Sequence, residues 1–203
     1  MTEKLVVIGN GMAAGRVLDH VFERDAERYS ITMFGAEPRV NYNRILLSPV
    51  LSGEKEFADI VTHDEAWYAE HKIDLRGGVS VVSIDRAAKT VTDSTGAVTA
   101  YDKLLIATGS SPFIIPVPGH DLPGIVTYRD LDDVNAMLAA AEKGGHAVVI
   151  GGGLLGRGQV GDVGAFGLFG GRFVGVFRHV STRLRPRPGS IHRSASSASP
   201  AGG

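Results

Sequence analysis

The sequence predicts an α/β fold: a Rossmann-like domain of parallel strands, helices and a small antiparallel meander, then the start of a second Rossmann-like domain. Three observations carry that expectation. The apolar run Lys4-Leu5-Val6-Val7-Ile8 ends in glycine and leads, through a helical pattern, to the strand-like residues 30–34, a β-α-β unit of the usual length of about 30 residues. Residues 146–150 again run into a glycine-rich turn. Between the two turns lie three short β-rich pieces spaced as a meander.

Each element has its own reason. Residues 4–8 suit a parallel strand covered on both faces, which reads as an unbroken apolar run. The helix after it should bury Val17, Leu18, Val21 and Phe22 at helical spacing. Residues 37–61, broken by Pro38, Pro49 and Gly53, read as irregular. Thr62-His63-Asp64-Glu65 has the form of a capping box and opens a helix through Glu70, with Trp67 and Tyr68 as core residues. The meander takes residues 79–84, 90–92 and 98–101, with a turn at 93–96. Residues 104–107 read as another buried strand. A proline-rich connection (Pro112, Pro116, Pro118, Pro123) leads to a helix over 130–143 that buries Leu131, Val134, Met137 and Leu138. Gly144-Gly145 stops it.

The motifs lie at the strand ends. Gly9-Asn10-Gly11-Met12-Ala13-Ala14 fits G-x-G-x-x-A. Gly9 permits the tight turn, Gly11 lets backbone approach a pyrophosphate, and Ala14 lets helix and strand pack closely. Glu37, three residues past Phe34, is the candidate acid for ribose hydroxyls. Arg44 suits a diphosphate, and Tyr42 suits the cover of a flat ring. On spacing alone, however, a surface arginine is the plainer account. Ala107-Thr108-Gly109 ends a strand in small residues, where backbone can lie against a nucleotide. Gly151-Gly152-Gly153-Leu154-Leu155-Gly156 fits G-x-G-x-x-G, with Gly151, Gly153 and Gly156 in the glycine positions.

No catalytic constellation stands out. The seven histidines are scattered without metal-ligand spacing and read as surface or solvated residues. Asp130, Asp132 and Asp133 read as partners of a helix dipole rather than as an acid–base pair.

Composition narrows the classes. The chain has no cysteine, which excludes disulfides, thiolate-held zinc or iron–sulfur clusters, and a redox-active thiol pair on these residues. No apolar run approaches the ~18–20 residues of a membrane span, and a strand begins at Lys4 without a preceding signal peptide. A cytoplasmic location, with no membrane partner, is the expectation. Residues 157–203 carry ten glycines, seven arginines, no lysine and one acid, Asp162. Their local charge of +6 leaves −7 for the first 156 residues, against −1 for the whole chain.

With these pieces in order, residues 1–156 resemble the pyridine nucleotide–disulfide reductase-like flavoproteins. Within that family, Ile8-Gly9-Asn10-Gly11-Met12, Glu37-Pro38-Arg39 with Tyr42-x-Arg44 and Leu47-Ser48, and Tyr101-Asp102-Lys103-Leu104 look most like NAD(P)H-dependent nitrite reductase large subunits. The resemblance implies an FAD-dependent oxidoreductase that takes electrons from NAD(P)H, in nitrate assimilation, and passes them to an iron–sulfur and sirohaem region or another acceptor protein. It places Gly9, Gly11, Ala14 and Arg44 at the FAD diphosphate, and Ala107, Thr108 and Gly109 beside the cofactor. Gly151, Gly153 and Gly156 become the NAD(P)H turn. Many relatives carry the ribose acid where this chain has Ala36, so Glu37 is offset by one residue.

The expected domains are an incomplete FAD-binding segment over 1–112, the beginning of an NAD(P)H-binding domain over 113–156, and a tail over 157–203. The family continues past residue 156 with a glutamate- and alanine-rich helix, whereas this chain turns to glycine and arginine. The tail is expected to be disordered or aberrant, read out of frame behind a truncated flavoprotein. A basic nucleic-acid arm is the weaker reading. The chain alone is therefore expected to be inactive. The alternatives are a ferredoxin- or rubredoxin-type NAD(P)H reductase and a non-enzymatic nucleotide-binding fragment.

Overall fold

A computed structural model describes residues 2–143, Val148 and Ile150. The second glycine turn and residues 157–203 lie outside the described residues, as does most of the strand expected at 146–150. The chain divides into compact units after Val134.

The first unit is built on four parallel strands: β1 (Glu3–Ile8), β2 (Tyr29–Gly35), β5 (Asp74–Gly77) and β9 (Lys103–Ile106), in the order β5-β2-β1-β9. Helix α1 (Met12–Arg24) connects β1 to β2. Alternation along the strands sends side chains to two covered faces. Leu5, Val7, Ile31 and Met33 pack with Ala14 and Leu18 of α1, and with Tyr68 and Ile73. Val6, Ile8 and Phe34 pack against Val91, with Val79, Val81, Tyr101 and Leu104 around them. That second face is covered by the meander β6 (Val81–Asp85), β7 (Thr90–Asp93) and β8 (Val98–Ala100), in which neighbouring strands are antiparallel.

Register decides where a site can form. Ile8 stands opposite Phe34 on one side and Ile106 on the other. The chain therefore leaves three adjacent strands at the same carboxyl edge, through Gly9, Gly35 and Ala107. Ligands of open α/β sheets bind outside that edge.

Several expectations need correction. Val17 is exposed, because the buried arc of α1 runs through Ala14, Gly15, Leu18 and Phe22 and leaves Val17 beside it. Residues 37–61 are not irregular. They hold β3 (Asn41–Tyr42), a 3-10 turn (Arg44–Leu46), helix α2 (Leu47–Ser52) and a second 3-10 turn (Phe57–Ile60). Pro49 is tolerated because it sits in the first turn of α2, where its missing N–H has no intrahelical acceptor. Gly53 ends that helix at φ 80°.

The capping residue of helix α3 (Glu65–Glu70) is Asp64, whose carboxylate accepts the Trp67 N–H at 2.9 Å. Thr62 belongs to β4 (Val61–His63), paired with β3, and its hydroxyl donates to Asn41 instead. Tyr68 is buried and Trp67 partly so, as expected. Strand β5 escaped the sequence reading. Asp74-Leu75-Arg76-Gly77 has one apolar side chain, and only its pairing along β2 defines it.

Strand β9 was expected to be buried, yet Ile106 is 60% exposed. Among the described residues β9 has a neighbour on one side only. Helix α4 (Leu131–Lys143) forms as expected, with Leu131 and Val134 buried and Met137 and Leu138 half-buried. Among the described residues no helix is long and apolar enough to cross a membrane.

Gly9 and Gly96 differ in what an added side chain would meet. Gly9 has φ +110°, and a Cβ there would overlap the Ala107 carbonyl oxygen. Gly96 has φ +88°, but a Cβ would meet nothing within 4 Å. Gly96→Ala should cost the strain of a left-handed alanine, about 1–3 kcal/mol. Gly9→Ala should cost at least about 1 kcal/mol more, because strand and turn must also move apart. Urea unfolding of both variants checks this, and equal losses would sink it.

The second prediction concerns Asp93, whose carboxylate accepts the Thr95 hydroxyl (2.6 Å) and the amides of Thr95 (2.9 Å) and Ala97 (3.1 Å). The Thr95 hydroxyl bond, helped by those amides and Arg76 against the cost of burial, lowers the carboxyl below its ordinary value. A lowered folded value gives stability that is complete above the unfolded carboxylate range, near pH 4, and lost as pH falls through the folded value. The difference in urea midpoint between wild type and Asp93→Asn should therefore be constant above about pH 5 and shrink towards pH 3.

Candidate functional site

The carboxyl edge of the sheet carries the predicted residues. After Ile8 the chain turns at Gly9, whose amide donates to the Phe34 carbonyl at 2.8 Å. The neighbouring Ala107 amide donates to the Ile8 carbonyl at 2.8 Å, which holds the β9 exit directly against the turn. Only a residue without a side chain fits between them. Ala14 is fully buried at the helix–strand contact, where a larger residue would hold α1 off the sheet.

Gly11 is the capping residue of α1, with φ −104° and ψ 179°. No side chain caps this end, no acid stands in the first turn, and a Cβ on Gly11 would meet nothing within 4 Å. The first-turn N–H groups therefore have no side-chain acceptor, and the helix dipole adds partial positive charge. An uncapped helix start beside open space fits a diphosphate chemically.

The loop after β2 is organised by charge. The Glu37 carboxylate accepts the Tyr42 hydroxyl at 2.7 Å and a nitrogen of Arg44, with Arg39 at 3.9 Å. Arg44 is partly buried, and its other terminal nitrogen donates to the Arg129 carbonyl at 3.0 Å. The plain reading of Arg44 as a surface cation fails on that geometry. The idea that Tyr42 covers a flat ring fails as well. Its ring is buried edge-on to Phe57, and its hydroxyl is used twice, donating to Glu37 and accepting the Leu131 N–H at 3.2 Å. Burial, then the bond to Glu37, pushes the Tyr42 phenol far above its usual range, so it stays a neutral donor.

The exit of β9 supplies Ala107, Thr108 and Gly109, the last at φ +75°. Arg129 lies over it: its Nε donates to the Ser110 carbonyl at 3.0 Å, and a Cβ on Gly109 would come within 3.1 Å of its Nη2. Gly9, Gly11, Glu37, Arg44, Ala107, Thr108 and Gly109 thus all lie in the loops and turns of one sheet edge, with Ala14 in the first turn of α1 beside them. Gly151, Gly153 and Gly156 lie outside the described residues.

Sequence reasoning missed Asn10, Asn41, Tyr68 and Arg129, all of which bond to loops of this edge. Asn41 lay in a stretch read as irregular, and only its place between Val40 and Tyr42 carried a faint signal. Arg129 carried none. Asp130 and Asp133 act at the start of α4 as expected: Asp133 accepts the Arg129 amide at 2.7 Å, and Asp130 accepts the Asp133 amide at 3.0 Å. Asp132 instead pairs with Arg39, which holds its carboxyl below the usual range.

Among the described histidines, His63 and, packed against Phe22 and Trp67, His71 depart from the solvated expectation. His63 is largely buried, its ring tilted against Trp67 with centroids 4.1 Å apart and paired through Nε2 with Asp19 at 2.9 Å. Among the described residues no group of three histidines or acids is arranged to hold a metal ion.

The sequence profile described as pyridine nucleotide-disulphide oxidoreductase matches residues 3–158. The NAD(P)H nitrite reductase of Bacillus subtilis (strain 168) is 46% identical over 154 residues, a match covering 76% of this chain and 19% of that protein. The assimilatory nitrate reductase electron transfer subunit of the same organism is 43% identical over 154 residues, covering 76% of this chain and 20% of the relative. Among solved structures, NADH:rubredoxin oxidoreductase from Clostridium acetobutylicum superposes with a TM-score of 0.70 at 28% identity, over 78% of this chain and 41% of that one. The chain spans about one fifth of the length of the two curated relatives. An uncapped glycine turn beside a small-residue strand exit, on this fold and with these relatives, places the chain in the pyridine nucleotide-disulphide oxidoreductase family.

Proposed function

We propose that residues 1–112 are the first segment of an FAD-binding domain and residues 113–156 the opening of an NAD(P)H-binding domain, in a reductase that serves nitrite reduction. The carrying observation is the uncapped, open start of α1 at Gly9-x-Gly11, pressed against the exit of β9. Gly9, Gly11 and Ala14 would shape the diphosphate site, with first-turn amides of α1 as donors and Arg44 as counter-charge. Glu37 would take the ribose hydroxyls, and Ala107, Thr108 and Gly109 would flank the cofactor. Gly151, Gly153 and Gly156 would form the corresponding NAD(P)H turn.

Bound FAD would accept hydride from NAD(P)H and release electrons onward. The protein's own work is to bind and orient. Glu37 and Arg44 already neutralise one another, so a diphosphate near Arg44 has to compete with that carboxylate. The chain holds no cysteine, so thiolate-held iron–sulfur centres of the electron path belong to other residues or another protein. Support for nitrite as the final acceptor comes from the identity to the Bacillus subtilis nitrite reductase. A second reading, electron delivery to a rubredoxin- or ferredoxin-type protein, is favoured by the likeness to NADH:rubredoxin oxidoreductase.

Flavin fluorescence quenching with the full chain tests the binding reading. FAD should bind saturably but weakly, and Arg44→Ala should weaken it about tenfold, the scale of one charge-assisted hydrogen bond. An unchanged affinity would remove Arg44 from the site, and no saturable binding would overturn the FAD assignment. The chain alone should neither oxidise NADH nor reduce nitrite. Stoichiometric flavin with steady NADH oxidation would contradict that, and transfer to added rubredoxin or ferredoxin would favour the second reading.

A further inference from the structure

The glycine turn is tied down from the α1 side by a partly buried chain of hydrogen bonds, and its hub is the hydroxyl of the buried Tyr68. That hydroxyl donates to Asn10 Oδ1 at 2.8 Å and accepts the Asn41 amide at 3.2 Å. Asn10, the middle residue of the Gly-x-Gly turn, donates its Nδ2 to the Arg39 carbonyl at 3.2 Å. Asn41, 1% exposed, donates its Nδ2 to the Gly11 carbonyl at 2.7 Å, while its Oδ1 accepts the Thr62 hydroxyl at 2.5 Å. Residues 10 and 11 of the turn are thus each held by a separate arm of one network.

The packing around the turn is cut to admit these side chains. A Cβ on Gly35 would come within 3.0 Å of the Asn10 Cβ, and one on Gly15 within 3.1 Å of the Asn41 Nδ2. Gly35 therefore makes room for Asn10, and Gly15 for the His63 ring, 2.7 Å from such a Cβ, as well as for Asn41. Burial, the largest effect on Tyr68, raises its phenol above the ordinary value, so the hydroxyl keeps the proton that Asn10 requires. Removing the hub leaves the buried Asn41 backbone N–H and the part-buried Asn10 Oδ1 without this partner.

We propose that the Tyr68 hydroxyl, acting through Asn10 and Asn41, is the positioning group that sets the Asn10–Gly11 peptide and thereby aims the first-turn amides of α1 at a bound diphosphate. The role of the diphosphate rests on the function proposed above, whereas the hold on the turn does not. Tyr68 would act on the diphosphate only through the geometry of those donors.

Tyr68→Phe tests this, because it keeps the ring in the core and deletes only the hydroxyl. In the full chain without ligand, hydrogen exchange should rise about tenfold at the Gly9 and Gly15 amides, which bond to the Phe34 and Gly11 carbonyls, and stay unchanged at Val6, Val7 and Met33. ADP affinity should fall about three- to tenfold, the range for losing one hydrogen bond. In an Asn10→Ala background the same substitution should have a smaller effect on Gly9 and Gly15, since one arm is already cut. Unchanged exchange at the turn, or a rise spread evenly over the sheet, would overturn the proposal. Equal effects in both backgrounds would also overturn it. If exchange responds as expected but wild-type chain binds neither ADP nor FAD, the functional reading fails while the hold on the turn stands.

Discussion

The structure depends on one close approach: the backbone of Gly9 lying against the Ala107 carbonyl. It joins the first strand of the sheet to its far neighbour in sequence, and it exists only because Gly9 has no Cβ and tolerates φ +110°. Everything at the candidate site is referred to this contact. It sets where α1 begins, how near the β9 exit comes, and which backbone groups face open space. Parallel register then brings the loop after β2 to the same edge.

Around that contact the protein uses two different devices. On the side of α1 a neutral network, with Tyr68 and Asn41 buried and Asn10 and Thr62 nearer solvent, specifies one conformation of the turn. Such networks favour uniqueness because each member is costly to leave unpaired. On the other side the devices are charged and partly exposed: Glu37 with Arg44, and Arg39 with Asp132. Ion pairs of this kind contribute little to stability in water, and their partners are exchangeable. A rigid turn beside exchangeable charges is an arrangement suited to a ligand that brings its own negative charge.

The legible parts of the sequence were those whose physics is local. The run of residues 4–8 announced a strand covered on both faces, the glycine pattern announced the turn, and the spacing of the β-rich pieces announced the meander. What went unread were features set by partners distant in the chain. Strand β5 has one apolar residue and exists because β2 offers it an edge. Thr62 and Asp64 are both competent caps, and a bond from Thr62 to Asn41 decided between them. Tyr42 and Arg44 looked alike as loop residues near a binding turn, yet burial took one into the core and left the other paired at the rim.

By itself the sequence determined the fold class, the place of the first glycine turn and the residues able to form it, because these follow from hydrophobic period and from the steric freedom of glycine. Only the tertiary structure decided that Gly9 must clear Ala107, that Glu37 is already engaged by Arg44 and Tyr42, and that Tyr68 reaches the turn across 58 residues of chain. The reason is physical. Pattern and propensity are short-range properties of the chain, whereas a hydrogen bond between Tyr68 and Asn10 depends on two elements first packing against the same face of a sheet.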